Sequence, residues 1–136
     1  MKVAVAVITD ANAHVLITRR SPHAPHGGML WEFPGGKLEL DETPEAALIR
    51  EVKEEIGLDV IQYNFLGEVN HAYNKHSVSL LVYHVSDFRG EAHCCETQMD
   101  LRWVAFENIQ DFEFPAANSQ IIALYSAVYL KQLETE

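Results

Sequence analysis

The chain has 136 residues, 48% of them hydrophobic, with 10 Lys and Arg set against 20 Asp and Glu. That length predicts one domain, able to bury about two-thirds of its unfolded surface without staples, and the high apolar content with only 5 prolines excludes a disordered chain. A formal charge of -10 argues against a nucleic-acid polymer or an anionic membrane as partner, and a polyphosphate could approach only with cations in attendance.

The N-terminal MKVAVAVITD holds too few apolar residues before Asp10 for a signal peptide or a membrane span, which places the expected chain in the cytoplasm. KVAVAVIT and HVLITRR read as two strands joined across DANA as a hairpin. SPHAPHGG is a loop, and a short extended LWEF leads into PGGKLELDE. Thr43 then caps a helix that begins at Pro44, where a missing N–H does no harm, and Gly57 ends it in a left-handed conformation. Leu48, Ile49, Val52 and Ile56 form its expected core face. NFLGEVNHAY, SVSLLVYHV and DLRWVAF return to strand character, and NSQIIALYSAVYLKQLE repeats Ile121, Leu124, Tyr125, Val128 and Tyr129 at helical spacing. Strands, helix, strands, helix in that order predict one α/β domain over residues 1–136, with a mixed sheet between helices. Adjacent Cys94 and Cys95 have poor geometry for a mutual disulfide, and His14, His23, His71, His84 and His93 show no metal-ligand spacing.

REVKEEIG, Arg50 to Gly57, puts Glu51, Glu54 and Glu55 on one helical arc about 100° wide, beside the core face and separate from it. Like charges at such spacings each cost about 0.2–0.5 kcal/mol in an isolated helix. A solvated outer face is the ordinary explanation, with Arg50 and Lys53 relieving the repulsion. The sharper reading is a site for a hard divalent cation, which takes oxygen ligands and supplies the charge that clustered carboxylates lack. The segment before the helix favours the second reading. At Gly35 and Gly36 no Cβ keeps a ligand or metal from the backbone. Glu42 and Arg50 are too far apart in sequence to be helical neighbours, so a contact between them requires the loop to fold over the helix, holding both glycines beside the carboxylates.

From Gly36 the chain reads GKLELDETPEAALIREVKEEIGL, which carries G-x5-E-x7-R-E-U-x-E-E-x-G-U, with U aliphatic, at Gly36, Glu42, Arg50, Glu51, Val52, Glu54, Glu55, Gly57 and Leu58. On those positions it resembles the Nudix hydrolases. VLITRR, LWEFPGGK and FPAANSQII extend the likeness to the MutT branch, whose members remove oxidised guanine nucleotides such as 8-oxo-dGTP. The resemblance implies an α/β/α sandwich and Mg²⁺-dependent cleavage of a nucleoside diphosphate linked to a further group, with Mn²⁺ able to substitute. The implied partner is a small-molecule nucleotide, and a monomer is favoured. Glu51, Glu54, Glu55 and the Gly35 carbonyl become the implied metal ligands, with Gly36, Glu42, Arg50 and Gly57 as structural positions of the signature. Glu51, Glu54 and Glu96 are the catalytic candidates; Glu51 is the first choice as general base, and Glu96, in CCETQ, the second as base or ligand.

Arg20, His26, Phe33 and Asn118 match the branch's nucleotide contacts, and Lys37 stands with Gly35 and Gly36 where a phosphate is held. Each has a plainer reading: a strand-end charge for Arg20, a loop residue for His26, core for Phe33, a helix cap for Asn118 and a solvent-exposed charge for Lys37. An Asn amide donates and accepts at once, as reading a purine edge requires, and a Phe offers a stacking face. Departures cluster near the expected base: Tyr73, Lys75 and His76 stand where MutT-like chains carry Phe and Arg, and HAPHGGML is one residue longer. Asp41, where relatives often have Gly, tolerates unusual backbone angles. Other Nudix substrates are an unmodified or differently damaged (d)NTP, a cytidine nucleotide or a dihydropterin triphosphate. A nucleotide sensor without hydrolysis is the reading from another class, and the intact Glu51, Glu54 and Glu55 speak against it.

Overall fold

The computed structural model describes residues 1–25, 27–73 and 75–134, without the side chain of Tyr73. In chain order the elements are β1 (Lys2–Ile8), β2 (His14–Arg19), β3 (Trp31–Glu32), β4 (Gly35–Lys37), α1 (Pro44–Ile56), β5 (Asp59–Tyr73), β6 (His76–Arg89), β7 (Asp100–Ala105), a 3-10 turn (Phe106–Asp111) and α2 (Asn118–Glu134). Both faces of β1 are buried from Ala4 to Ile8, as its unbroken apolar run requires of a central strand. It pairs parallel with β6 and antiparallel with β4, and β5 lies antiparallel on the far side of β6, giving a mixed sheet in the order β4-β1-β6-β5. A second, antiparallel sheet has the order β3-β2-β7.

The expected hairpin across DANA does not form. β1 and β2 belong to different sheets and touch through an isolated bridge, Thr9 with Val15. Asp10 accepts the N–H groups of Asn12 and His14, each at 2.9 Å, and Ala13 adopts φ 59°, so the chain turns away before a ladder can propagate.

Two cores flank the sheets. Val5, Val7, Val15 and Ile17 pack with Ile121 and Tyr125 of α2, while Ala4, Ala6, Ile8 and Leu16 pack with Ala47, Leu48, Val52 and Ile56 of α1. This is an α/β/α sandwich. Burying Leu48, Val52 and Ile56 completely contributes about 1.5–3 kcal/mol each. Thr43 and Gly57 bound α1 as expected: the Thr43 hydroxyl accepts from Ala46 N–H at 3.1 Å, and Gly57, at φ 76°, donates its N–H to Lys53 O at 3.1 Å.

The rotation of α1 differs from expectation. Ile49 is 41% exposed and Ala47 takes its place in the core. Glu51 and Glu55 share the inward-facing arc with Ala47 and Leu48, so the acid face and the core face are one surface rather than two. Ile49 lies beyond that arc because the helix turns its acids toward β4. Histidine also enters the core: His84 is buried on β6 with Nε2 2.8 Å from Thr9 Oγ1, and burial holds its imidazole below the usual value. Among the described residues no helix is long and apolar enough to cross a membrane.

Candidate active site

β4 runs against α1, and its two glycines set the distance. Gly35 N–H donates to Glu55 Oε2 at 3.0 Å. A Cβ on Gly35 would meet the Ala4 carbonyl of β1, and one on Gly36 would meet the Glu51 carboxylate. Close approach to backbone therefore requires glycine at Gly35, while a side chain at Gly36 would push the Glu51 carboxylate out of its place.

Arg50 locks the loop that follows. Its Nε and Nη2 meet the two oxygens of Glu42 at 2.8 and 2.9 Å, a bidentate pair, while Nη2 also donates to Lys37 O at 3.1 Å. Nη1 reaches back to Glu51 Oε1 at 2.8 Å. The loop thus folds over the helix as the spacing of Glu42 and Arg50 requires. Charge-assisted bonding to Arg50, with the Glu39 N–H adding to it, holds the Glu42 carboxyl down at about 2.

Glu96 arrives from the opposite side. The connection between β6 and β7 crosses the C-terminal end of α1, where His93 N–H donates to Ile56 O at 3.0 Å and Cys95 N–H to Glu55 O at 2.9 Å. Those orphan helix carbonyls anchor the segment that carries Glu96. Gly57 admits it, since a Cβ there would meet the His93 ring.

The result is a trio: one carboxylate oxygen from each of Glu51, Glu55 and Glu96, all within 4.8 Å of one another. Glu54 is not brought in; its side chain is 50% exposed and pairs with Arg50 Nη1 at 3.2 Å. Burial pushes the Glu55 carboxyl up to about 8 against the pull of the Gly35 N–H, and the charges of Glu32, Glu51 and Glu96 add to the rise. Burial also raises Glu51, with Arg50 opposing. Three mutually repelling oxygen donors around one point suit a hard divalent cation, which would remove the repulsion at its source.

One cavity opens on this cluster and a second adjoins it through Gly35. The larger, about 500 Å³, is lined by Glu55, Glu96, Thr97, Gln98, Arg20 and residues of the loop after β2. The smaller, about 200 Å³, is bounded by Phe33, Gly36, Lys37, Leu80, Ile121 and Asn118. Arg20, Glu32 and Gly35 line both. Phe33 is buried, with one face stacked on Phe114 at 5.4 Å, and Asn118, the first residue of α2, is buried with its N–H bonded to Pro115 O at 3.0 Å. Lys37 is exposed at the rim. His26 lies outside the described residues. Lys75 and His76 are exposed at the β5–β6 turn and line neither cavity.

Sequence reasoning missed two residues of this site. Glu32 meets Arg20, Nε to Oε2 at 2.7 Å, through the pairing of β2 with β3. Gln98 lines the larger cavity with a buried Oε1 that has no hydrogen-bond partner among the described residues. No local spacing marks either one, because Glu32 is placed by the pairing of β3 with β2 and Gln98 by the path of the β6–β7 connection.

An α/β/α sandwich whose helix presents clustered carboxylates to a glycine turn defines a class, the hydrolases built on such a helix and loop. A profile of the NUDIX domain matches residues 4–124. The 8-oxo-dGTP diphosphatase of Proteus vulgaris is 44% identical over 91 residues, covering 67% of this chain and 80% of that protein. The Escherichia coli enzyme of the same name is 32% identical over 123 residues, 90% of this chain and 94% of its own. A solved MutT structure, from work on Aliivibrio salmonicida and Vibrio cholerae MutT, superposes with a TM-score of 0.76 at 29% identity, covering 90% and 95% of the two chains. The chain belongs to the Nudix family, as a MutT-like hydrolase.

Proposed function

We propose that this protein is a Mg²⁺-dependent nucleoside triphosphate pyrophosphohydrolase that converts 8-oxo-dGTP to 8-oxo-dGMP and pyrophosphate. It acts as a monomeric single domain in the cytoplasm, clearing damaged nucleotides from the DNA precursor pool. The observation that carries the reading is the Glu51, Glu55 and Glu96 trio, whose Glu55 accepts from the N–H of Gly35, a residue that lines both of two cavities large enough together for a nucleotide. The family's divalent metal fits this donor set, with Glu51, Glu55 and Glu96 as the holding residues and the Gly35 backbone beside them. When bound, the metal supplies charge neutralisation on the phosphate oxygens and acidifies water.

The chain's own residues do the rest. Phe33 and Asn118 take the base in the smaller cavity, the amide donating and accepting along the purine edge. Arg20 and Lys37 meet phosphate oxygens. Glu51, drawn toward ionisation by Arg50 and aimed into the cluster, removes the proton as water attacks phosphorus and pyrophosphate departs. Glu54 stands at the rim, where it shares Arg50 with Glu51.

The test is kcat/KM across 8-oxo-dGTP, dGTP, GTP, dCTP and 2-hydroxy-dATP with Mg²⁺. 8-oxo-dGTP should lead the panel with pyrophosphate released. A different leader redirects the substrate, and binding without release from any nucleotide makes the protein a sensor.

A further inference from the structure

The two cavities share Arg20, Glu32 and Gly35, and the Arg20–Glu32 ion pair stands at that seam, Nε to Oε2 at 2.7 Å. Glu32 is an expensive residue to place here. It adds a further negative charge close enough to Glu55 for the two to repel, in a chain whose formal charge is already -10. The pair returns little in stability, because its side chains are 35% and 24% exposed and water screens them.

What the carboxylate does accomplish is to fix a long cation. Arg20 lines the larger cavity together with Glu55 and Glu96, so the same cavity wall carries two of the trio's carboxylates besides Glu32. An arginine resting on those oxygens would occupy the site of a divalent cation with a charge of its own. The contact with Glu32 is charge-assisted and short, and it comes from a strand paired residue for residue with the one that leads into Arg20. On the other side Arg20 runs close past Gly27, with Nη1 3.4 Å from where a Cβ on that residue would sit. The side chain is thereby held at the seam before any ligand arrives, which lowers the ordering cost of binding an anion there.

We propose that Glu32 is a positioning residue whose carboxylate holds Arg20 at the junction of the two cavities and off the Glu51, Glu55 and Glu96 trio, keeping the cation site open. The inference rests on the reading of that trio as a divalent-cation site. Glu32 acts through Arg20, so removing Arg20 must cancel the effect of removing Glu32.

Calorimetric titration of the metal-free full chain with Mn²⁺ tests this without turnover, in wild type, Glu32→Ala, Arg20→Met and the double variant. Glu32→Ala should weaken Mn²⁺ binding by roughly tenfold or more, in the range seen for residues that orient metal ligands. Arg20→Met should bind as wild type does, and the double variant should recover wild-type affinity. Unchanged binding in Glu32→Ala overturns the proposal. So does a double variant as weak as Glu32→Ala, which would make Glu32 a ligand or a structural prop. Glu32→Gln, which keeps the side chain's shape but not its charge, is measured alongside in case the alanine variant unfolds, and should show the same recovery when combined with Arg20→Met. Absence of Mn²⁺ uptake by wild type defeats the cation-site reading itself, and the inference with it.

Discussion

At the scale of single residues, the geometry ranks the helix glutamates that the signature treats alike. Glu51 and Glu55 are turned into the cluster, whereas Glu54 stands on the solvent side of Arg50. Glu55→Gln should therefore weaken Mn²⁺ binding by at least about tenfold, and Glu54→Gln by less, when both are titrated under one set of conditions. Equal losses, or a larger one for Glu54→Gln, would contradict the ranking. This ranking was not legible in the sequence: residues at those spacings share one arc of any helix, and only the packing of α1 on β4 decides which part of the arc faces inward. Glu32 was hidden for a similar reason. Its partner Arg20 lies 12 residues away, across a strand pairing that no local pattern reveals.

At the scale of elements, the locked loop behind α1 makes a prediction about acid. Glu42 has an ordinary value of 4.5 and is held at about 2 in the folded chain by Arg50. A carboxyl lowered on folding contributes stability that is present above its unfolded value and is lost as pH falls toward its folded one. Glu42→Gln should thus unfold at lower urea than wild type at pH 7, and the gap should close as pH drops from about 4.5 toward 2. A gap constant over that range would mean that the pair does not hold the loop. This element was largely readable from sequence, because caps, helix spacing and the distance from Glu42 to Arg50 are local features. The connection from β1 to β2 was not. Its two runs look strand-like and its turn looks suitable, yet β1 spends its hydrogen bonds on β6 and β4. A long-range parallel pairing of that kind leaves no local trace.

At the scale of the whole molecule, one acidic chain is asked to hold an acidic ligand. The formal charge of -10, the carboxylate trio and a polyphosphate would repel one another, and a divalent cation resolves the conflict at one point. Fold class was legible because two amphipathic helices and the apolar strand runs leave few ways to bury themselves. The meeting of Glu96 with Glu51 and Glu55 was only suggested, since it depends on the β6–β7 connection docking on the end of α1. The central claim is that this meeting makes a cation site. Direct titration of the purified, metal-free protein with Mn²⁺ and Mg²⁺, in the presence and absence of a methylene-bridged nucleoside triphosphate, tests it most closely. Saturable uptake that Glu51→Gln and Glu55→Gln each weaken is the predicted result, and no uptake under either condition would contradict it.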